Sequence, residues 1–159
     1  MLAATATLDD LLALAELELR VFGDESYPRF FLRQSLALWP EWVWVARTEA
    51  SQPPVGYVLG AASSTPGEGW VLSAGTLPDA RGQGVGALLL GELVGAMATA
   101  GIRVVRLTVH PENTGACRLY ERHGFRVERE EADYFWPGET CLLMSRLLNA
   151  GDAVPKRAD

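Results

Sequence analysis

The chain has 159 residues, of which 48% are hydrophobic, and it carries a formal net charge of −6. That length and apolar content predict one domain with its own core. The acidic balance argues against nucleic acid and anionic membrane surfaces as partners, because both are bound through clustered Lys and Arg. The two cysteines have neither metal-ligand spacing nor the density of a disulfide scaffold. The N-terminus lacks a basic, apolar leader and no apolar run reaches about 18 residues, so we expect a cytoplasmic protein.

The hydrophobic pattern predicts two helices before the first pair of strands. Apolar residues recur at helical spacing over residues 8–22, with acidic residues in the first turn. A polar break separates this helix from a second one over residues 28–38, where proline stands near the first position. β-rich segments follow at residues 42–46 and 55–63. The proline-containing turn between them predicts a hairpin.

The second half of the chain alternates predicted strands and helices. A strand over residues 70–76 precedes a glycine-rich turn and an apolar helix that begins at about Gly84. We then predict a strand over 104–109, a helix over about 113–122, and two last strands around 125–135 and 140–147. This mixed order predicts one α/β or α+β domain over residues 1–148, with a mixed sheet. Residues 149–159 have the composition of a frayed polar tail.

The glycine-rich turn is the most informative motif, and it consists of Arg81, Gly82, Gln83, Gly84, Val85, Gly86 and Ala87. Its glycines let the backbone approach a ligand closely, and the first turn of the following helix presents free N–H groups that suit a phosphate. The P-loop pattern needs Lys-Ser/Thr after its last glycine, and the dinucleotide fingerprint needs different glycine spacing and a later acidic residue. Neither pattern is present. The turn therefore predicts another phosphate-bearing cofactor.

Two later features complete the pattern: Asn113, and a Leu-Tyr-x-x-x-Gly-Phe run that contains Tyr120. With them, from about Val55 to Leu148, the chain resembles the GCN5-related N-acetyltransferase (GNAT) superfamily. The resemblance implies a largely antiparallel mixed sheet with splayed central strands, flanked by helices. It also implies acetyl-CoA as acyl donor, with its pyrophosphate on the glycine turn. The acetyl group would pass directly to a primary amine in a ternary complex, without a metal.

The resemblance assigns further cofactor contacts. The two splayed strands would be those at 70–76 and 104–109, and the backbone of Ala74, Gly75 and Thr76 would bind the pantetheine arm like an added strand. A glycine inside a strand agrees with close approach of another chain, and a simple bulge is the alternative. Asn113 matches a position that contacts CoA. It also suits the N-cap of the helix that begins there, and the two roles are compatible.

Tyr120 matches the family position where a phenol lies near the CoA sulfur and protonates the departing thiolate, and simple packing of its ring is the alternative. A general base is harder to assign. Relatives carry Glu on the strand before the glycine turn or on the strand after the cofactor helix, and neither carboxylate is present here, where the second position is Thr108. His110, two residues further on, is the candidate base because its ordinary pKa is about 6.5. A plain strand-end residue is the alternative.

The acceptor side is less defined. Residues 133–144 resemble a stretch of ribosomal-protein N-terminal (alanine) acetyltransferases, which makes Tyr134 a candidate acceptor contact or, alternatively, an ordinary hairpin aromatic. Glu25 and Tyr27 lie in the loop between the first two helices, where this family forms its acceptor wall, and solvated loop residues are the alternative. Three functions stay open: acetylation of a peptide or protein α-amine, acetylation of a small amine such as a polyamine, amino acid or antibiotic, and silent acyl-CoA binding. The sequence allows a monomer or a homodimer.

Overall fold

The computed structural model describes residues 1–153, in which four helices flank a seven-stranded sheet. The helices are α1 (Leu11–Phe22), α2 (Arg29–Leu38), α3 (Val85–Thr99) and α4 (Thr114–Arg122). The strands are β1 (Leu2–Thr5), β2 (Val43–Arg47), β3 (Gly56–Ala62), β4 (Glu68–Thr76), β5 (Val104–Val109), β6 (Arg126–Ala132) and β7 (Thr140–Leu147). The sheet order is β1-β2-β3-β4-β5-β7-β6, and within the described residues β4 and β5 form the one parallel pair. The predicted mixed, largely antiparallel sheet is confirmed.

Strand β3 shows why helices cover both faces of the sheet. Successive side chains of a strand point to opposite faces. Tyr57 and Leu59 accordingly pack in the core beneath α1 and α2, whereas Val58 packs in the core beneath α3. All three side chains are buried. A strand buried on both faces reads as a continuous apolar run, as this one does in the sequence.

Helix α3 approaches the sheet closely because β3 carries glycine beneath it. A Cβ atom added at Gly60 would lie 2.5 Å from Met97 Cε and 2.7 Å from Leu93 Cδ1. Both side chains are fully buried, so neither has free space to move into. The absence of a side chain at this position therefore sets the distance between α3 and the sheet, and with it the position of the glycine turn at the start of α3.

Strands β4 and β5 pair at one end and part at the other. The parallel pairing runs from Glu68 opposite Val104 to Trp70 opposite Arg106, and ends there. At the paired end, Arg106 forms an ion pair with Glu68 across the two strands. Just beyond the paired residues, the register between β4 and β3 shifts, and Leu72 is left as an extra residue on β4 without a partner position on β3. A β-bulge bends the strand that carries it, so the bulge turns β4 away from β5. The predicted splay is confirmed.

Some element boundaries differ from the sequence predictions. The edge strand β1 was not predicted, because its short Leu-Ala-Ala-Thr sequence has little β-propensity, yet it pairs antiparallel with β2. The predicted helix over 8–22 opens with a separate 3-10 turn at Leu8–Asp10. Strand β6 ends at Ala132 rather than near 135, because Asp133 adopts φ 56° and turns the chain into a loop.

The C-terminal region is ordered further than its composition suggested. Residues Ala150–Asp152 form a 3-10 turn, and Asp152 pairs with Arg146 of β7. The rest of the predicted polar tail, residues 154–159, lies outside the described residues. No helix within residues 1–153 combines the length and the apolar character needed to cross a membrane.

We expect Gly60→Ala to destabilise the fold by about 1–3 kcal/mol, because the added methyl group overpacks a core without free space. The matched control is Gly91→Ala on the exposed side of α3, where an added Cβ meets nothing within 4 Å. That variant should stabilise the helix by roughly 1 kcal/mol. Urea unfolding of both variants measures the difference. Equal stability of Gly60→Ala and the wild type would contradict the close packing of α3.

Candidate active site

The glycine turn forms an open cradle at the start of α3. Gly84 is the N-cap residue of this helix with φ 80°, and Gly82 adopts φ 75°, a region that glycine enters without strain. A Cβ atom added at either position would meet nothing within 4 Å. The space in front of the turn is therefore free for a ligand.

Side chains of the turn fold back onto the preceding backbone. Arg81 Nε donates to the Thr76 carbonyl at 3.3 Å, and Gln83 Nε2 donates to the Asp79 carbonyl at 2.9 Å. The N–H groups of a helix's first turn have no partner within the helix, and they carry the positive end of its dipole. In α3 these groups belong to Val85, Gly86 and Ala87. Free N–H groups at the start of a helix are a common binding position for a phosphate group.

A narrow slot of about 60 Å³ continues from the cradle along the parted edge of β4. Predicted cofactor residues Ala74, Gly75, Thr76 and Gly86 line it, together with Leu119 and Tyr120 of α4. A Cβ atom added at Gly75 would lie 3.2 Å from ring carbons of both Phe22 and Tyr57. Packing against α1, which carries Phe22, therefore disfavours any larger residue at this position. The β4 residues predicted to bind the pantetheine arm therefore border an open space.

A larger cleft of about 310 Å³ lies next to the slot. Its walls bring together the predicted site residues Glu25, Tyr27, Ala74, His110, Asn113 and Tyr120. Phe135 lines it, whereas its neighbour Tyr134 is not among the lining residues and packs edge-to-face against the Phe135 ring. The slot and the cleft share three lining residues: Ala74, Ala116 and Tyr120. A thioester carried by the arm in the slot would meet an acceptor from the cleft at this junction.

Tyr120 is buried at the junction, with its ring edge-on to Phe125 at a centroid distance of 5.9 Å. Burial, with a smaller contribution from Cys117, raises the pKa of the Tyr120 phenol to about 12. The phenol therefore keeps its proton throughout the neutral and moderately alkaline range. It is available as a hydrogen-bond donor or as an acid wherever a thiolate forms beside it.

His110 lies directly after β5 and is exposed at the mouth of the cleft. Its Nδ1 atom accepts a hydrogen bond of 3.3 Å from the Glu112 N–H. In a neutral imidazole one nitrogen donates and the other accepts, so this bond favours the tautomer with the proton on Nε2. The remaining nitrogen then has no free lone pair. This local geometry works against a base role for His110.

Asn113 is the N-cap residue of α4, where its side-chain oxygen accepts from the Ala116 N–H at 3.1 Å. The capping role anticipated from the sequence is therefore present. The side chain also lines the cleft, next to the junction residue Ala116. A fixed amide at the start of α4 is positioned to contact a ligand and to hold the helix that carries Tyr120.

Sequence reasoning missed a buried carboxylate beneath the cleft. Glu18, near the end of α1, is 2% exposed, lines the cleft, and accepts hydrogen bonds from Tyr57 Oη and, at 2.9 Å, from the Tyr27 N–H. Burial raises the pKa of the Glu18 carboxyl, although both hydrogen bonds act to lower it. A signal was present in the sequence: Glu18 follows Leu11 and Leu14 at spacings of seven and four, on the apolar face of the helix.

Two further cleft residues carried no assignment from the sequence. Glu139 lines the cleft from the loop between β6 and β7, and Ser73 lines it from β4. Three carboxylates thus face the cleft, and no lysine or arginine lines it in the described part of the chain. Within residues 1–153, no group of three His, Cys, Asp or Glu side chains is arranged to hold a metal ion.

Comparison with known proteins identifies the family of the chain. Residues 8–125 match the model of the Acetyltransferase (GNAT) family. An uncharacterized N-acetyltransferase of Methanocaldococcus jannaschii is 31% identical over 136 residues, which cover 85% of this chain and 84% of that protein. The chain belongs to the GNAT family of acetyltransferases. It is an acetyl-CoA-dependent N-acetyltransferase.

Two other known proteins are also similar to the chain. The crystal structure of the ribosomal-protein-S18-alanine N-acetyltransferase from Escherichia coli has a TM-score of 0.79, with 17% identity, covering 99% of this chain and 98% of that one. The mycothiol acetyltransferase of Mycobacteroides abscessus is 44% identical over 71 residues, which span 43% of this chain and 23% of that protein. The first similarity extends over the whole fold, whereas the second is confined to part of the chain.

We predict that Gly84→Asp lowers acetyl-CoA affinity by at least ~100-fold, because a carboxylate in the cradle would face the pyrophosphate and like charges at contact cost several kcal/mol. The control is Gly101→Asp after the other end of α3. Gly101 also has a positive φ, 86°, and open space around its Cβ position. This variant adds the same charge and similar backbone strain. Isothermal titration with acetyl-CoA compares the two, and equal affinities would contradict the cradle assignment.

Tyr120→Phe should lower kcat by ~100-fold or more while leaving the dissociation constant of acetyl-CoA nearly unchanged, since the ring and its contact with Phe125 stay in place. With a pKa of about 12, the wild-type phenol loses its proton only at very alkaline pH. The kcat profile should consequently show no fall from Tyr120 below about pH 11. Steady-state kinetics across pH test both points. An unchanged kcat in the variant would show that Tyr120 only packs in the core and does not act as an acid.

Proposed function

We propose that this acetyltransferase acts on the α-amine at the N-terminus of a peptide or protein. The observation that carries the proposal is the composition of the acceptor cleft. Two loops contribute to its lining, the α1–α2 loop with Glu25 and Tyr27 and the β6–β7 loop with Phe135 and Glu139. A chain terminus can enter between these loops and reach the junction with the slot.

The charge of the cleft supports an acceptor that arrives as a cation. An amine in solution near neutral pH is largely an ammonium ion, and the carboxylates that face the cleft attract it. Glu25 is exposed at the rim, so solvent and salt weaken its attraction, whereas Glu139 is half-buried and is screened less. The cleft thereby favours entry of a positively charged end group over an acidic one.

The free energy of deprotonation favours an α-amine over a lysine side chain. The ordinary pKa values are about 7.8 and about 10.4, so at a given pH an α-amine presents about 400-fold more neutral species. That ratio corresponds to about 3.5 kcal/mol. The described cleft contains no exposed carboxylate or free imidazole held against the junction, and an acceptor that loses its proton readily suits such a site.

The reaction follows from the placement of the two cavities. The neutral amine nitrogen attacks the thioester carbonyl carbon at the junction, which forms the C–N bond and places negative charge on the carbonyl oxygen. The nitrogen of this adduct gives up one proton, collapse breaks the C–S bond, and the CoA thiolate takes the proton of Tyr120. The proton lost by the nitrogen returns through solvent to Tyr120, so both charges are cancelled. The products are the acetylated amine and CoA. The junction aligns both reactants before reaction, which supplies much of the acceleration.

A small amine is the second candidate acceptor, and one observation favours it. The segment shared with the mycothiol acetyltransferase is more similar in sequence than the alignment over the whole chain. A cleft of about 310 Å³ is also large enough for a small ligand. Under this alternative, the same carboxylates would bind the cationic groups of a polyamine or an aminoglycoside.

An acceptor panel distinguishes the two candidates. It would contain short peptides that begin with alanine, serine or methionine, the same peptides with a blocked N-terminus and one internal lysine, and spermidine, free amino acids and an aminoglycoside. We expect release of CoA thiol from acetyl-CoA with the free peptides and little with the blocked ones. The ratio of kcat/KM between an unblocked peptide and its blocked copy should exceed ~100.

The Tyr120→Phe variant is the control for enzyme-catalysed release, because it should bind acetyl-CoA without supporting turnover. Greater release with spermidine, amino acids or the aminoglycoside than with any peptide would contradict the peptide proposal and favour the small-amine alternative. Tight acetyl-CoA binding without release across the panel would contradict both.

A further inference from the structure

Glu18 occupies an environment that is costly for a carboxylate. It is the one charged side chain that is buried within residues 1–153, and none of the ion pairs found there includes it. A buried carboxylate without a positive partner is unfavourable, because desolvation penalises its charged form. Here the compensation comes from neutral donors, the Tyr57 hydroxyl and the Tyr27 N–H. Glu18 takes no part in the attack of the amine, the collapse of the adduct or the proton transfer from Tyr120.

The hydrogen bonds of Glu18 continue to the wall of the cleft. Tyr57 Oη lies 2.6 Å from Ser73 Oγ, and Ser73 lines the cleft on β4, beside the junction residue Ala74. Ser73 also lies in the part of β4 that has left β5, directly after the bulge at Leu72. Three polar side chains from α1, β3 and β4 thus form a continuous path from the buried carboxylate to the acceptor space.

The direction of this path follows from counting protons. A phenol has one proton, and a carboxylate can only accept, so the Tyr57 proton lies towards Glu18. The short contact between Tyr57 and Ser73 then requires Ser73 to donate to Tyr57 Oη. The Ser73 oxygen is left with acceptor capacity that faces the cleft. The path is therefore oriented to receive a proton from the cleft and to deliver it to Glu18.

We propose that Ser73, Tyr57 and Glu18 form the proton relay that serves as general base for acetyl transfer. Ser73 Oγ accepts the proton of the acceptor nitrogen, Tyr57 passes a proton on, and Glu18 is the final acceptor. This relay takes the place of the Glu that relatives carry at either of two positions on β4 and β5 and that this chain lacks at both. It rests on the acetyltransferase chemistry and does not depend on whether the acceptor is a peptide or a small amine.

The proton balance of the step is complete. Attack by the neutral amine gives an adduct with a positive nitrogen and a negative oxygen. The nitrogen loses one proton to Ser73 Oγ as Ser73 gives its proton to Tyr57 Oη and Tyr57 gives its proton to Glu18 Oε2. Collapse then releases the CoA thiolate, which takes the Tyr120 proton. Transfer of one proton from Glu18 through solvent to Tyr120 restores both groups, so no other reactant is needed.

The other ionisable groups that face this space are placed differently. Glu25 and His110 are exposed, and Glu139 is half-buried in the loop between β6 and β7. Tyr27 packs beside Glu18, and its pKa is raised by burial and then by the Glu18 charge. Burial and then the Glu18 charge likewise raise the pKa of Tyr57, so Tyr57 stays protonated and passes a proton on only as it receives another.

The raised pKa of Glu18 fixes the sign of the pH dependence. The relay needs the carboxylate form, which is lost as pH falls through the Glu18 pKa, and burial moves that point above the ordinary Glu range. The wild-type kcat should therefore fall as pH decreases, and the pH at which it falls should be the same for every acceptor, because the Glu18 pKa sets it. If protonation of the acceptor amine caused the fall in kcat instead, the fall would shift to higher pH for a more basic acceptor.

The central test compares Ser73→Ala with the wild type, because this change interrupts the relay and leaves the buried carboxylate and its two donors in place. Acetyl-CoA is the donor, and the acceptors are a peptide that begins with alanine and the same peptide that begins with the more basic β-alanine. Spermidine and a less basic diamine replace them if small amines are the acceptors. We expect kcat to fall by ~100-fold or more, with KM for the acceptor changed by less than about 3-fold.

Three companion variants separate the relay from a structural effect. Ser73→Thr restores a hydroxyl on a β-strand and should recover much of kcat. Ser35→Ala removes a hydroxyl that is fully buried away from the cleft, where it donates to the Phe31 carbonyl in α2, and kcat should stay at the wild-type value. Glu18→Gln should lower kcat to the level of Ser73→Ala and abolish the acidic limb. The double variant should lose no more than the larger single effect, because the two residues act as a unit.

A Ser73→Ala variant with the kcat of the wild type would overturn the relay. An acidic fall of kcat that persists in Ser73→Ala would also overturn it. So would a wild-type profile in which the acidic fall shifts with the pKa of the acceptor. Failure of the proposed peptide acceptor is seen separately, in the wild-type panel. If Glu18→Gln does not fold, the Ser73 variants and the shift of the limb between acceptors decide the question without it.

Discussion

The parting of β4 from β5 is the constraint on which the rest of the site depends. Parallel strands at regular spacing would saturate each other's N–H and C=O groups and leave no room between them. Here the pairing stops after Trp70 opposite Arg106, and the extra residue Leu72 bends β4 away. The freed edge of β4 becomes the wall of the slot. The ion pair between Arg106 and Glu68 holds the strands together at the paired end, so the opening is confined to one side.

The bulge also connects the cofactor slot to the acceptor side. Tyr27 Oη donates to the carbonyl of Leu72 at 3.3 Å, and the Tyr27 N–H donates to Glu18. One residue of the α1–α2 loop is thus bound both to the strand that forms the slot and to the buried carboxylate. Tyr27 further packs its ring on Phe31 of α2, with centroids 4.6 Å apart. The acceptor loop, the splayed strand and α1 therefore form one connected unit beside the junction.

Much of the fold was predictable because its signals are local. The apolar runs of β3 and β5, the glycine turn before α3 and the Asn cap of α4 each depend on neighbours in sequence, and the structure has these elements close to where the pattern predicted them. The short edge strand β1 was not predictable, since Ala-rich strands have weak propensity and depend on pairing with β2. The end of β6 was missed because a positive φ at Asp133 follows from the loop and not from composition.

The site was predictable in part for the same reason. Motif residues such as Gly84 and Tyr120 have fixed spacing, and the structure places them around the cradle and the junction. The Glu18 network was not found, because it joins residues 18, 57 and 73, which only the packing of α1 on the sheet brings together. The sequence indicated this network only through Glu18, a charged residue on the apolar face of α1.

The most direct measurement is a crystal structure of the protein with CoA joined covalently to the α-nitrogen of a peptide that begins with alanine. The arrangement described here predicts the pyrophosphate on the Gly82–Gly84 turn, the sulfur within hydrogen-bond distance of Tyr120 Oη, and the peptide nitrogen within hydrogen-bond distance of Ser73 Oγ. A nitrogen that faces His110 and lies beyond reach of Ser73 would contradict the relay. A sulfur away from the junction of slot and cleft would contradict the placement of the reaction itself.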